Sequence, residues 1–104
     1  MAKLALFIRT RTKPGKRAEL QALWEKHLMA RAEANPAQEV YFFCTDNHDP
    51  DVLHLFELYA DPQQLEANAN ETWFADYMHE AEPLLAEPPA VAITTPSWAK
   101  GADL

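Results

Sequence analysis

Leu4, Leu6 and Ile8 alternate with Ala5, Phe7 and Arg9, so the stretch from Lys3 to Thr12 is apolar on both sides at its middle and polar at its end. A period of two is that of a strand, and Pro14-Gly15 closes it. Leu20, Leu23, Trp24, His27 and Leu28 then fall at helical spacing with charges opposite them, which predicts a helix over about Lys16 to Ala34. Asn35-Pro36 ends it, because the residue before proline is pushed out of the helical region and the ring cannot continue the ladder.

Gln38 to Thr45, with Val40-Tyr41-Phe42-Phe43-Cys44, is rich in residues that fit a pleated surface and forms the second expected strand. The polar run Asp46 to Asp51 is a turn by composition, and Val52 to Ala60 returns as a third strand, making a hairpin. Asp61-Pro62 fits a cap followed by proline at a helix start, predicting a short helix through about Asn68. A second helical piece, about Glu71 to Ala86, repeats Phe74, Tyr77, Met78, Ala81 and Leu85 at 3.6-residue spacing, with Trp73 and Leu84 on the adjoining strip. Pro88-Pro89 break the chain before a fourth strand, Ala90 to Thr95, and a tail from Pro96 to Leu104.

The order βαββαβ predicts a ferredoxin-like α+β fold, one antiparallel sheet with both helices on a single face. A sheet with one wet face alternates apolar and polar residues, yet Leu4 to Ile8, Val40 to Cys44 and Val52 to Phe56 are apolar at nearly every position. With no third helix to cover the second face, a second copy stacked sheet against sheet is expected, a homodimer closing into a dimeric α+β barrel.

With 104 residues the chain is expected to be one domain over 1–104, its core at about 3–95. A formal net charge of −7 argues against nucleic acid as a partner. The local cluster Arg9, Arg11, Lys13, Lys16, Arg17 is the exception, either a solvated strand end and helix start or an attractor of an anionic ligand. Cys44, the single cysteine, has apolar neighbours and is expected to be a small buried hydrophobe. No export signal and no apolar stretch of about 18 residues stands out, so a cytoplasmic protein without membrane insertion is expected.

Metal and cofactor are both expected to be absent. His27, His48, His54 and His79 are scattered over different elements, and neither a Gly-rich phosphate loop nor a Gly-x-Ser-x-Gly elbow is present.

Phe56-Glu57-Leu58-Tyr59-Ala60-Asp61, Leu65-Glu66-Ala67-Asn68, Trp73-Phe74-Ala75-Asp76-Tyr77 and Pro83-Leu84-Leu85-Ala86-Glu87-Pro88 together resemble the antibiotic biosynthesis monooxygenase domain, over roughly residues 3 to 95. The resemblance implies a dimer that oxygenates a small electron-rich aromatic, a hydroquinone or polycyclic phenol, with O2 and without metal, flavin or haem. Many members carry His where this chain has Asn68, and Pro-His where it has Thr72-Trp73, so the roles of those histidines do not transfer. Asn, Trp and Tyr recur as pocket residues in the quinone-forming members, which makes Asn68, Trp73 and Tyr77 the first candidates for the site.

Each candidate has a plain structural reading beside the chemical one. Asn68 is either an oxyanion donor or a helix-end residue, and Trp73 with Tyr77, four apart on a helix face, are either a stacking platform or core. His54 is either a general base for a phenolic proton or a satisfied core histidine. Arg9 is a phenolate contact or a snorkelling edge residue, and Phe56 and Phe74 complete the candidates as substrate contacts. Three other functions stay open: isomerisation or degradation of a small signalling or carbonyl metabolite, haem degradation, and a non-catalytic dimeric binding or stress-response module whose pocket is packed shut by Trp73, Phe74 and Tyr77. A cavity above about 300 Å3 separates the last from the enzymes.

Overall fold

The computed structural model describes residues 2–104; Met1, the first residue of the expected domain, lies outside them. Four strands, β1 (Leu4–Arg11), β2 (Gln38–Thr45), β3 (Val52–Tyr59) and β4 (Ala90–Thr94), form one antiparallel sheet in the order β2-β3-β1-β4. This is the expected α+β ferredoxin-like arrangement. Between β1 and β2 run α1 (Arg17–Trp24), a widened π-type turn (Glu25–Met29) and α2 (Ala30–Ala34); between β3 and β4 run α3 (Gln63–Ala69) and α4 (Thr72–Ala81).

Differences from the expected bounds have local causes. The first helix spans nearly the expected stretch but carries the π turn in its middle, a feature that hydrophobic spacing does not reveal. The last helix stops at Ala81 instead of Ala86, giving way to a 3-10 turn over Glu82–Leu84. Pro83 accounts for this: it has no N–H to offer the ladder, and its ring would strike the carbonyl four residues back. Asp61 does cap, its Oδ1 accepting from the Gln63 N–H at 2.9 Å, with Pro62 between them.

Strand pairing assigns every side chain to a face. Leu6 stands opposite Glu57 and Ile93, Ile8 opposite Leu55 and Val91, and Tyr41 opposite Glu57. These residues lie on the face the helices cover, where Leu20, Leu53 and Ala81 are buried with Leu23, Phe43, Tyr77, Leu84 and Leu85 packed around them. Trp24 ties α1 to β2, its ring 4.7 Å from Phe43 and its Nε1–H donating to the Tyr41 hydroxyl at 2.9 Å. The intervening residues Phe7, Arg9, Phe42, Cys44, His54 and Phe56 point to the other face. Phe7 and Phe42 are 51% and 58% exposed there, their rings 5.1 and 6.0 Å from that of Phe56. Cys44 is exposed on this face, not buried as expected, because strand parity turns it away from the helices. At the end of the sheet where Lys3 Nζ donates to the Asp103 carbonyl and pairs with Glu39, both at 2.6 Å, the open-face residues Ala5 and Leu58 are buried. No helix among the described residues is long and apolar enough to cross a membrane.

Candidate functional site

The helices do not close completely onto the sheet. Between them lies a chamber of about 710 Å3, well above the lower bound for ligand pockets, so Trp73, Phe74 and Tyr77 do not pack it shut. Its floor is the sheet, with Leu6, Ile8, Leu55 and Tyr59 among the lining; its roof comes from α2, α3 and α4. The lining is mainly apolar.

Asn68, Trp73, Phe74 and Tyr77 all line this chamber, so four of the seven candidate residues are brought together. Asn68 sits near the end of α3, where its carbonyl accepts from the Glu71 N–H at 3.2 Å and its Nδ2 donates to the Tyr59 hydroxyl at 3.3 Å. Trp73 meets Phe74 edge-on at 6.1 Å, and the Arg31 guanidinium lies 4.8 Å from its ring centre, a cation-π contact. Burial pushes the Tyr77 hydroxyl up to about 12.

The other three candidates are elsewhere. His54, Arg9 and Phe56 stand on the opposite face of the sheet, because side chains alternate along a strand and Leu55 and Glu57 are the residues of β3 that enter the chamber. His54 is no core histidine either: its Nε2 pairs with Asp46 Oδ2 at 2.7 Å on a half-exposed surface. That contact, with the N–H groups of Asp49 and His48, holds the Asp46 carboxyl well below the usual range. Arg9 lies 3.8 Å from Glu87, while Arg11 pairs with Asp49 at 2.8 Å and Arg17 donates to the carbonyls of Asp46 and Asp49. The basic cluster is thus engaged mainly with nearby acids and carbonyls.

A polar group on the chamber floor was not among the candidates. Glu57 is 7% exposed, and its Oε1 accepts from Gln38 Nε2 at 2.8 Å and from the Tyr59 hydroxyl at 3.0 Å; Gln38 also donates to Tyr59 at 2.7 Å. Burial raises the Glu57 carboxyl above its ordinary value, partly offset by these two donors, and pushes Tyr59 up to about 12 with the nearby carboxylate adding to the effect. Tyr41 is raised as well, by burial first and Glu57 second. The signal in the sequence was parity: Glu57 interrupts an apolar strand two residues after Leu55, on the face that packs on helices.

No three His, Cys, Asp or Glu side chains among the described residues gather as a metal site. The arrangement can receive a planar apolar molecule and present one buried carboxylate and one amide to its polar edge.

Among solved structures, the chain is similar to two proteins provisionally named antibiotic biosynthesis monooxygenases. One, from Chloroflexus aurantiacus, is 23% identical with a TM-score of 0.80, covering 96% of this chain and 98% of that one. The other, from Caulobacter crescentus, is 21% identical with a TM-score of 0.85, covering 93% and 92%. A Nitrosomonas europaea protein of unknown function is 30% identical over 99% of this chain and 97% of its own, with a TM-score of 0.80. The chain thus shares the fold of proteins provisionally named antibiotic biosynthesis monooxygenases. No family model matches it, and no curated protein does.

Proposed function

We propose that the protein oxygenates small, electron-rich aromatic molecules with O2, without a cofactor, and that it acts as a dimer joined through the open faces of two sheets. The observation that carries the catalytic part is the apolar chamber of about 710 Å3 in which Asn68, Trp73 and Tyr77 converge. A fused-ring phenol stacks on the Trp73 indole with its oxygen toward the Asn68 amide, which stabilises the phenolate through a neutral donor in a dry setting.

The phenolate supplies the electrons. One passes to O2, and the resulting pair combines at a ring carbon to give a hydroperoxide. Loss of the proton on that carbon breaks the O–O bond, leaving a quinone carbonyl and releasing the second oxygen as water. One phenol and one O2 give one quinone and one H2O. The protein's share is to favour the phenolate, orient it and exclude water.

The dimeric part draws on Phe7, Phe42 and Phe56, an aromatic cluster on a face without helices, of the kind that marks an interaction surface. Oxygen uptake tests the chemistry: metal-free protein is expected to speed O2 consumption with a panel of hydroquinones and anthrols, and Asn68→Ala and Trp73→Phe to lower it. No acceleration with any member of the panel ends this assignment.

A further inference from the structure

We infer that Glu57 is the general base of the chamber and that it abstracts protons from uncharged carbon or oxygen acids, cyclic ketones included, whether or not O2 is present. The inference takes from the oxygenase reading only the chamber as binding site. Any reaction that begins by ionising a phenol needs a proton acceptor there, and the one histidine in reach of that role by sequence, His54, stands on the far side of the sheet.

Glu57 has the required geometry. Both of its hydrogen bonds, from Gln38 and Tyr59, fall on Oε1. Oε2 takes none, and no buried side-chain oxygen or nitrogen among the described residues is sealed without a partner, so Oε2 opens onto the chamber that Glu57 lines. The donors holding Oε1 are neutral, the amide of Gln38 from β2 and the hydroxyl of Tyr59 from β3, and the Tyr41 hydroxyl from β2 lies near the same carboxylate. The one cation lining the chamber is Arg31, on exposed α2 against Trp73. With no cation to neutralise it, the carboxylate remains basic, and it repels a ligand that already carries negative charge. That selects the substrate class: flat, apolar and neutral, with an acidic C–H or O–H.

For a ketone, Glu57 takes a proton from the carbon beside the carbonyl, the C–H pair moves into the C–C bond, and the carbonyl becomes an enolate whose oxygen accepts from the Asn68 amide. The proton returns to oxygen, giving the enol, or to carbon, giving back the ketone. No electron leaves the molecule.

The test is hydrogen–deuterium exchange of β-tetralone in D2O under argon, followed by the NMR signal of its benzylic CH2. Wild type is expected to speed exchange over buffer, Glu57→Gln to lose about 100-fold or more of that gain, and Glu57→Asp, which keeps the carboxylate one methylene back, to recover part of it. His54→Ala is expected to exchange like wild type. Wild type no faster than buffer, or Glu57→Gln as fast as wild type, overturns the assignment; if Glu57→Gln does not fold, Glu57→Leu, which also lacks the carboxylate, carries the same test, and its exchanging as fast as wild type overturns the assignment. Because oxygen is excluded, exchange without O2 uptake in aerobic assays removes the oxygenase reading alone, and O2 uptake without exchange removes the base.

Discussion

The two faces of the sheet are built from the same strands and are nearly equally apolar, yet helices cover only one of them. On the helix-covered face Leu6, Ile8, Leu55 and Tyr59 floor a chamber, and the one acid among them, Glu57, is held by two donors. On the other face Phe7, Phe42 and Phe56 touch one another and solvent, flanked by Arg9, Cys44 and His54. A covered apolar surface with an unfilled volume is suited to a small molecule, whereas an uncovered one is suited to a surface of its own kind. Parity along β3 decides which residue meets which surroundings, so neighbours such as Phe56 and Glu57 stand on opposite faces of the sheet.

The largest effect is expected at Phe56→Asp, which puts a charge in the centre of the open aromatic cluster and should weaken self-association about 1,000-fold, or about 4 kcal/mol, by sedimentation. A variant that sediments like wild type shows that the open face is not where copies meet. On the covered face, Leu53→Ala should cost about 3 kcal/mol of folding stability in denaturant titration, since Leu53 is buried at the centre of the core. Tyr59→Phe removes the hydroxyl that gives to Glu57 and takes from Asn68, and is expected to slow oxygen uptake about 10-fold without dissociating the protein.

Glu57→Gln sharpens the contrast through pH. The folded state raises the Glu57 carboxyl, so the unfolded chain gives up this proton first as pH rises, and the wild type loses stability from the ordinary Glu range upward until the folded group has also ionised. The Gln variant should therefore melt higher than wild type at pH 7, an advantage that vanishes at pH 3. A constant difference across that range shows that the carboxyl is not raised. Smallest of all, His54→Ala should change stability by under about 0.5 kcal/mol and leave turnover alone, because the His54–Asp46 pair is exposed.

The strands, the hairpin, the order of elements and the helix-end signals at Asn35-Pro36 and Asp61-Pro62 were legible in the sequence because each rests on local chemistry. Asn68, Trp73 and Tyr77 came from the family resemblance instead, and with Phe74 they line the chamber from α3 and α4. His54, Arg9 and Phe56 were misplaced for a physical reason: β1 and β3 are apolar on both sides, so hydrophobic pattern alone does not say which parity meets the helices. Glu57 was passed over as part of a motif although it is the only charged residue in the interior of β3 that faces the chamber. The π turn at Glu25–Met29 leaves no mark in side-chain spacing, and Pro83's early termination of α4 was outweighed by the strong apolar period around it.

Val91 and Ile93 line the chamber from β4 yet are 53% and 61% exposed, because β4 is the outermost strand on that side of the sheet and no further strand among the described residues pairs with it. An entrance on that side would run past two aliphatic side chains on a five-residue edge strand. A greasy threshold of this kind filters visitors by thickness and wetness before any polar group inside is met, so widening or plugging it, with Ala or Trp at Ile93, would retune what gets in without touching the residues that act on it.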